Sequence, residues 1–471
     1  MTARRLRLLL SVSILAGALA PIVSTSPAVA DDTRYSVAGG CYALRSEAVG
    51  RFIATSGEGY RASAGGLSGA EGFRMQATAL GEYLLYGERR DFLARGEGPL
   101  ADGEARSAPE PSRASDWSLR SAAGGVFRLH LRAGGGVLAT ERGGDALVVE
   151  EPGFAGERGR FDLRPATGCS RYPEPEVNAR GKPFTGETPF APVRGLLDSH
   201  LHLGALEFLG GAHCGRPWHR YGVAYAMVDC PDHEPNGSTA VLENALSGNP
   251  AQTHDTTGWP TFRDWPDHDS LTHEQTYYKW LERAWRGGLR LIVNDLVENR
   301  ALCELYPPTN DLARGKQERC DEMASARLQL RRMHELEEYI DAQEGGPGEG
   351  WFRIVETPFQ ARRVINSGKV AVVMGLETSE PLGCGLGPGP SCSRDDIRTE
   401  LDRPTTSGFA RCSPSTSSTT RSAAHASTRA RPAGSSTPAT STRPVGSGTP
   451  RPARANSTTT RNPPRRPPSA T

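Results

Sequence analysis

Val193-Arg194-Gly195-Leu196-Leu197-Asp198-Ser199-His200-Leu201-His202-Leu203-Gly204 decides how the second half of this chain is read. The apolar run has the character of a buried strand, and it ends in His-x-His. In a strand, residues i and i+2 point to one side, so His200 and His202 share a face. Two imidazoles at the C-terminal end of a strand can hold one metal ion, and zinc accepts such nitrogens. The other reading is a pair of solvated or packed histidines. The following glycine and long polar loop favour the metal, because (β/α)8 enzymes build their sites on such loops.

Downstream segments alternate as a covered parallel sheet requires. Leu271 to Arg286 reads as a helix, with Ser270 as its cap and Gly287 as its stop. Leu289 to Val297 reads as a strand and residues 319–342 as an amphipathic helix. Thr357 caps a short helix that begins at Pro358. Lys369 to Glu377 (KVAVVMGLE) is a continuous apolar strand that ends in a carboxylate. Asp395 to Arg403 begins a helix that Pro404 breaks.

Upstream lies a threefold repeat. Phe73-x-Met75, Trp117-x-Leu119 and Phe161-x-Leu163 close three units at intervals of 44 residues. Within the units, Phe52-Ile53-Ala54, Phe92-Leu93-Ala94 and Val137-Leu138-Ala139 recur, following Tyr42, Tyr83 and Phe127. Short alternating segments between Gly-rich turns are strand and hairpin signals. Units of this length must share one core.

Composition bounds the rest. Arg4, Arg5 and Arg7, the apolar run Leu8–Leu19 and the small-residue site Ala28-Val29-Ala30 make residues 1–30 a secretory signal peptide. No later stretch reaches the ~18 apolar residues of a membrane helix, so a secreted, extracellular protein with no membrane span is expected. Residues 404–471 carry ten Arg and no Lys, Asp or Glu; without them and the signal peptide, 42 basic residues face 54 acidic ones, a net of −12. An acidic body excludes nucleic acid as the partner. The cysteines suit an oxidising compartment. Cys41 and Cys169 bracket the repeats. Cys214 with Cys230, Cys303 with Cys320, and Cys384 with Cys392 each close a short loop. Bridges or free thiols are both compatible with the sequence.

The repeat resembles the fascin-like branch of the β-trefoil, through its closing aromatic-x-apolar strands. A trefoil brings its ends together, so a Cys41–Cys169 bridge is sensible within it. The resemblance implies either glycan or cell-wall binding or a spacer without a ligand. "DSHLHLG" followed by "GKVAVVMGLETSE" resembles the amidohydrolase superfamily, in its membrane-dipeptidase-like branch. His200 matches that branch's first ligand, His202 stands where the branch has Asp, and Glu377 matches its metal-bridging carboxylate. The resemblance implies one or two divalent ions, zinc foremost, and hydrolysis of an amide or peptide-type bond of a small-molecule or peptide substrate by a metal-activated hydroxide.

The expected architecture is therefore multidomain: signal peptide 1–30, all-β trefoil 38–169, linker 170–190, incomplete α/β (β/α)8 TIM-barrel-type domain 191–403, and low-complexity tail 404–471. The branch also needs two later histidines and a final aspartate. After His273 only His334, inside a helix, and His425, in the tail, remain. Catalysis is thus expected to be lost in this form, and the alternative is a non-catalytic glycan-binding protein acting through the trefoil, or a chain without function. The tail reads either as a disordered basic stalk or as a shifted reading frame. Ordinary GC-rich codons for Pro404 to Arg421, read two nucleotides along, can encode an apolar strand ending in histidine.

Overall fold

The alternating segments of the repeat form twelve antiparallel strands in a computed structural model of the chain. The structure describes residues 32–96, 103–181, 183–211, 216–226, 277–305, 320–385, 392–402 and 411–414, all within the unit Met1–Ala424. The signal-peptide segment, Ser270, the Cys214–Cys230 pair and nearly all of the tail lie outside these residues.

Each repeat supplies four strands. The first gives β1 (Cys41–Ser46), β2 (Phe52–Ser56), β3 (Gly59–Ala64) and β4 (Phe73–Ala79). The second gives β5 (Glu82–Tyr86), β6 (Phe92–Arg95), β7 (Ala105–Ala108) and β8 (Asp116–Ala122). The third gives β9 (Val126–Leu131), β10 (Val137–Thr140), β11 (Leu147–Glu150) and β12 (Phe161–Pro165). The outer strands of each unit pair around a closed ring: β1–β4, β4–β5, β5–β8, β8–β9, β9–β12 and β12–β1. The inner strands form hairpins β2–β3, β6–β7 and β10–β11, which meet one another through β3–β7 and single bridges Arg61–Ala146 and Glu104–Val148. This is the connectivity that the trefoil resemblance implies, and the closed ring leaves no strand edge open.

The closing aromatics fill the middle. Phe73, Trp117 and Phe161 are fully buried, and the Trp117 indole N–H donates to the Leu93 carbonyl at 2.8 Å. Burying each such side chain stabilises by roughly 1.5–3 kcal/mol. A Cys41–Cys169 disulfide ties the two ends where β1 meets β12, with Cα atoms 5.7 Å apart. Cys303–Cys320 and Cys384–Cys392 are also bridged.

The second half is a parallel sheet. It contains β13 (Leu196–Leu201), β14 (Leu289–Glu298), β15 (Phe352–Ile354), β16 (Val370–Thr378) and β17 (Arg411–Pro414). The order runs β13-β14-β16, and β15 and β17 share the far edge of β16. Its helices are α1 (Tyr278–Gly287), α2 (Glu322–Gln343), α3 (Pro358–Asn366) and α4 (Arg394–Asp402). Val370, Val372, Met374 and Leu376 face the core that α1 and α2 complete, whereas Ala371 and Val373 pack with Ile365 and Val364 of α3. Two covered faces explain why the run has no alternation.

Three expectations need correction. The incomplete (β/α)8 barrel is met only in a coarser form, an open parallel sheet of five strands among the described residues. The strand holding His200 is not buried: Leu196 is 65% and Leu197 58% exposed. It is the sheet's free edge, and no described strand or helix covers its outer side. Finally, Arg411–Pro414 of the tail is not disordered but pairs with Gly375–Thr378. Beyond β15, that edge of β16 would otherwise present unpaired N–H and C=O groups, which any extended segment can satisfy.

The two halves pack within one unit. Residues 170–181 and 183–190 contain no helix or strand, but Tyr172 is buried against Tyr86 and Phe92. The end of α2 reaches the strand array, where Ala342 enters its core and the Gln343 side-chain amide donates to the Ala77 carbonyl at 2.7 Å.

Candidate metal centre

His200, His202 and Glu377 come together at the C-terminal ends of β13 and β16. Their nearest ligand atoms lie within 4.8 Å of one another. Glu377 Oε2 is 3.2 Å from His200 Nε2 and 3.6 Å from His202 Nε2, and the two Nε2 atoms are 3.0 Å apart. The sequence spacing accounts for this: i and i+2 on β13 face the end of β16, with one strand, β14, between them.

Asp295, on that middle strand, supports both rings. Its carbonyl lies 2.9 Å from His202 Nδ1, and its carboxylate Oδ2 lies 3.4 Å from His200 Nδ1. In the tautomers that turn each Nδ1–H to Asp295, each Nε2 presents a lone pair. Glu377 Oε2 is buried at the atomic level, and its neighbours are the two Nε2 atoms. A proton or a cation among these three atoms relieves their repulsion, and two imidazoles with a carboxylate are a donor set that fits a divalent ion. Carbonyls and carboxylates behind ligating histidines are the usual outer support of such sites. An ion held by two imidazoles and one carboxylate would have room for a further ligand such as water.

Gly375 makes room for this support. A Cβ at that position would overlap Asp295 Oδ1, so a glycine is required where β14 and β16 pair Asp295 with Gly375. Sequence reading missed Asp295. The available signal was Asn294-Asp295, two polar residues inside an apolar strand, both buried. Asn294 explains itself by accepting the Leu203 N–H at 2.7 Å, which anchors the turn after His202.

Glu298 ends β14 and is 1% exposed. Burial pushes its carboxyl up to about 7, against three backbone N–H groups, of Leu209, Gly210 and Asn299, which favour its charged form. It braces the loop after β13 and is not gathered with the metal triad.

Of the loop histidines, His213, His233, His254, His268 and His273 lie outside the described residues. His219 is placed far from the triad's role: its Nδ1 accepts the Tyr221 N–H at 3.1 Å, and burial, with Arg216 nearby, pushes it down to about 4. His334, on the exposed side of α2, lies 3.7 Å from Glu337, whose hydrogen bond raises its pKa. Among the described residues, no helix is long and apolar enough to cross a membrane.

No family model matches this chain, and no curated protein matches it. Solved structures do show a likeness. A designed threefold-symmetric protein, ThreeFoil, is 18% identical over 26% of this chain and 97% of its own, with a TM-score of 0.23. SeviL bound to an asialo-GM1 saccharide is 18% identical over 27% of this chain and 98% of its own, with a TM-score of 0.23. A GlcNAcα1-4Gal-releasing endo-β-galactosidase from Clostridium perfringens is 16% identical over 27% of this chain and 33% of its own, with a TM-score of 0.24. At these values the likeness assigns no activity to this chain.

Proposed function

We propose that this is an exported protein whose parallel-sheet half binds a divalent metal ion, zinc foremost, through His200, His202 and Glu377. The observation that supports this is the convergence of two Nε2 atoms and a Glu377 carboxylate oxygen at one point. When bound, such an ion supplies Lewis-acid activation of water and of a carbonyl, the chemistry of the metal-dependent hydrolases that the two motifs resemble. This chain's own part is to hold the two imidazoles by Asp295, to face them with Glu377, and to leave the site open: His200 is 56% exposed. A small-molecule or peptide substrate would enter there. Hydrolysis in this chain is the weaker element of the proposal, because the later ligands expected of the branch have no counterpart among the described residues.

The test is metal uptake by the full chain, followed with Zn²⁺ and Co²⁺. Binding of one or two ions is expected, weakened by on the order of a hundredfold or more in His202→Ala and in Glu377→Gln, since a three-ligand site loses a whole ligand. Uptake that both variants leave unchanged sinks the reading.

A second reading is saccharide binding by the threefold strand array. The observation favouring it is a polar cavity with an aromatic wall beside β8 and β9, lined by Asp116, Arg132 and Tyr221 among others. Hydroxyl groups need such paired donors and acceptors, and a sugar ring needs a flat apolar surface. The disulfides suit an extracellular setting for either reading.

A further inference from the structure

The cavity beside β8 and β9 has a more particular chemistry, and the inference drawn from it rests on the saccharide reading. It has a volume of about 530 Å³ and lies between Arg113, Asp116 and Arg132 of the strand array and His219, Arg220 and Tyr221 of the segment that follows β13. That volume falls within the range of small-molecule sites. Two of its three guanidinium groups are held in place from behind. Arg220 pairs with Glu82 at 2.9 Å and with Asp116 at 3.4 Å, and Arg132 pairs with Glu82 at 3.0 Å and with Asp116 at 3.8 Å. Asp116 is 1% exposed and also accepts the Thr78 hydroxyl at 2.7 Å, so the frame behind the arginines is rigid.

The charges do not cancel. Three guanidinium groups face two carboxylates, and His219 adds no negative charge. Arg113 lies at the rim, exposed, and pairs with no carboxylate among the described residues. Arg113 and Tyr221 line the same cavity, so the Arg113 guanidinium and the aromatic wall share one space. Tyr221 is itself fixed: its carbonyl accepts the Tyr172 hydroxyl at 2.6 Å, and its ring packs edge-on against Tyr225.

We propose that this cavity binds a sugar acid, a saccharide unit bearing a carboxylate. The carboxylate pairs with the Arg113 fork, whose planar N–H groups match it in a bidentate way. The ring lies against Tyr221, and its hydroxyls meet the remaining N–H groups of Arg132. A neutral sugar leaves the positive excess unmatched, and a bare phosphate leaves the aromatic wall unused.

The test measures binding of D-glucuronic acid and N-acetylneuraminic acid to the full chain by titration calorimetry at low salt, with N-acetylglucosamine and inorganic phosphate as comparators. At least one acid is expected to bind more tightly than both comparators. Arg113→Ala is expected to weaken that acid by roughly 10–100-fold, the effect of losing a charge-assisted pair, and Arg113→Lys to restore part of it. Because Arg113 is exposed and forms no ion pair among the described residues, neither substitution threatens the fold. Equal affinity for phosphate, or an acid affinity untouched by Arg113→Ala, overturns the assignment. If N-acetylglucosamine binds and Arg113→Ala leaves it unchanged, the saccharide reading survives and this site falls. If no saccharide binds, both fall.

Discussion

Gly375 and Asp295 show how much of the metal centre depends on side chains that are not ligands. Asp295 is 2% exposed and reaches both histidines, one through its carbonyl and one through its carboxylate. Gly375→Ala forces the added methyl into the Asp295 carboxylate. We expect it to cost about 1–3 kcal/mol, as overpacking does, and to weaken Zn²⁺ binding, read by calorimetry beside the melting temperature. Asp295→Ala is expected to weaken the metal by about 10–100-fold with a smaller loss of stability, as removal of outer-shell support does elsewhere. A Zn²⁺ affinity unchanged in both variants removes the positioning role.

Glu298 carries the clearest dependence on pH. Its folded pKa is raised to about 7 by burial, above the ordinary carboxylate value. The folded state therefore holds a proton that the unfolded state has released between those values. The stabilisation is complete below the unfolded pKa and is lost as pH rises through about 7. The size is roughly 3 kcal/mol at most. Urea midpoints should fall between pH 5 and pH 8, and Glu298→Gln should flatten that slope. A slope of equal size in the variant places its origin elsewhere.

Among the elements, α3 shows what short-range signals achieve. Thr357 accepts the Gln360 N–H at 3.2 Å, Gln360 returns to the Thr357 N–H at 2.9 Å, and Pro358 occupies the first turn. The reciprocal box and the proline both favour a start at this point. Thr357→Ala should cost about 1 kcal/mol, seen as a lower urea midpoint with an unchanged slope. α2 begins in the same manner, with Asp321 accepting the Ala324 N–H at 2.7 Å. β13 is the contrary case. Its apolar run suggests burial, yet it lies at an open edge with Leu196 and Leu197 exposed. Periodicity reports which residues would gain from cover, not whether cover is present.

At the scale of the whole molecule, closure separates the two halves. The strand array closes on itself and is bridged by Cys41–Cys169 across 128 residues. Cutting that bridge with Cys41→Ser and Cys169→Ser should cost on the order of 2–5 kcal/mol, measured as a fall in melting temperature against the intact chain. The parallel sheet does not close, and its free edge is the kind of surface that pairs with other chains. Resequencing the gene across the codons for Leu401 to Arg421 decides whether further strands follow in another frame. A continuous barrel in the corrected frame would supply cover for β13; an unchanged frame leaves the open sheet as the native state.

What depends on neighbours a few residues apart is legible along the chain. The threefold repeat, the cap of α3, the apolar strands β14 and β16, and His200 and His202 on one face all follow from local periodicity and local hydrogen bonds. Glu377 could be nominated as the end of a buried strand, but not placed opposite the histidines. Only the tertiary structure decided that placement, along with the support from Asp295, the exposure of β13, the pairing of Arg411–Pro414 and the arginine-lined cavity. Each of these rests on contacts between segments tens to hundreds of residues apart. Which strand lies beside which is set by packing of the whole chain, and a linear pattern carries no record of it.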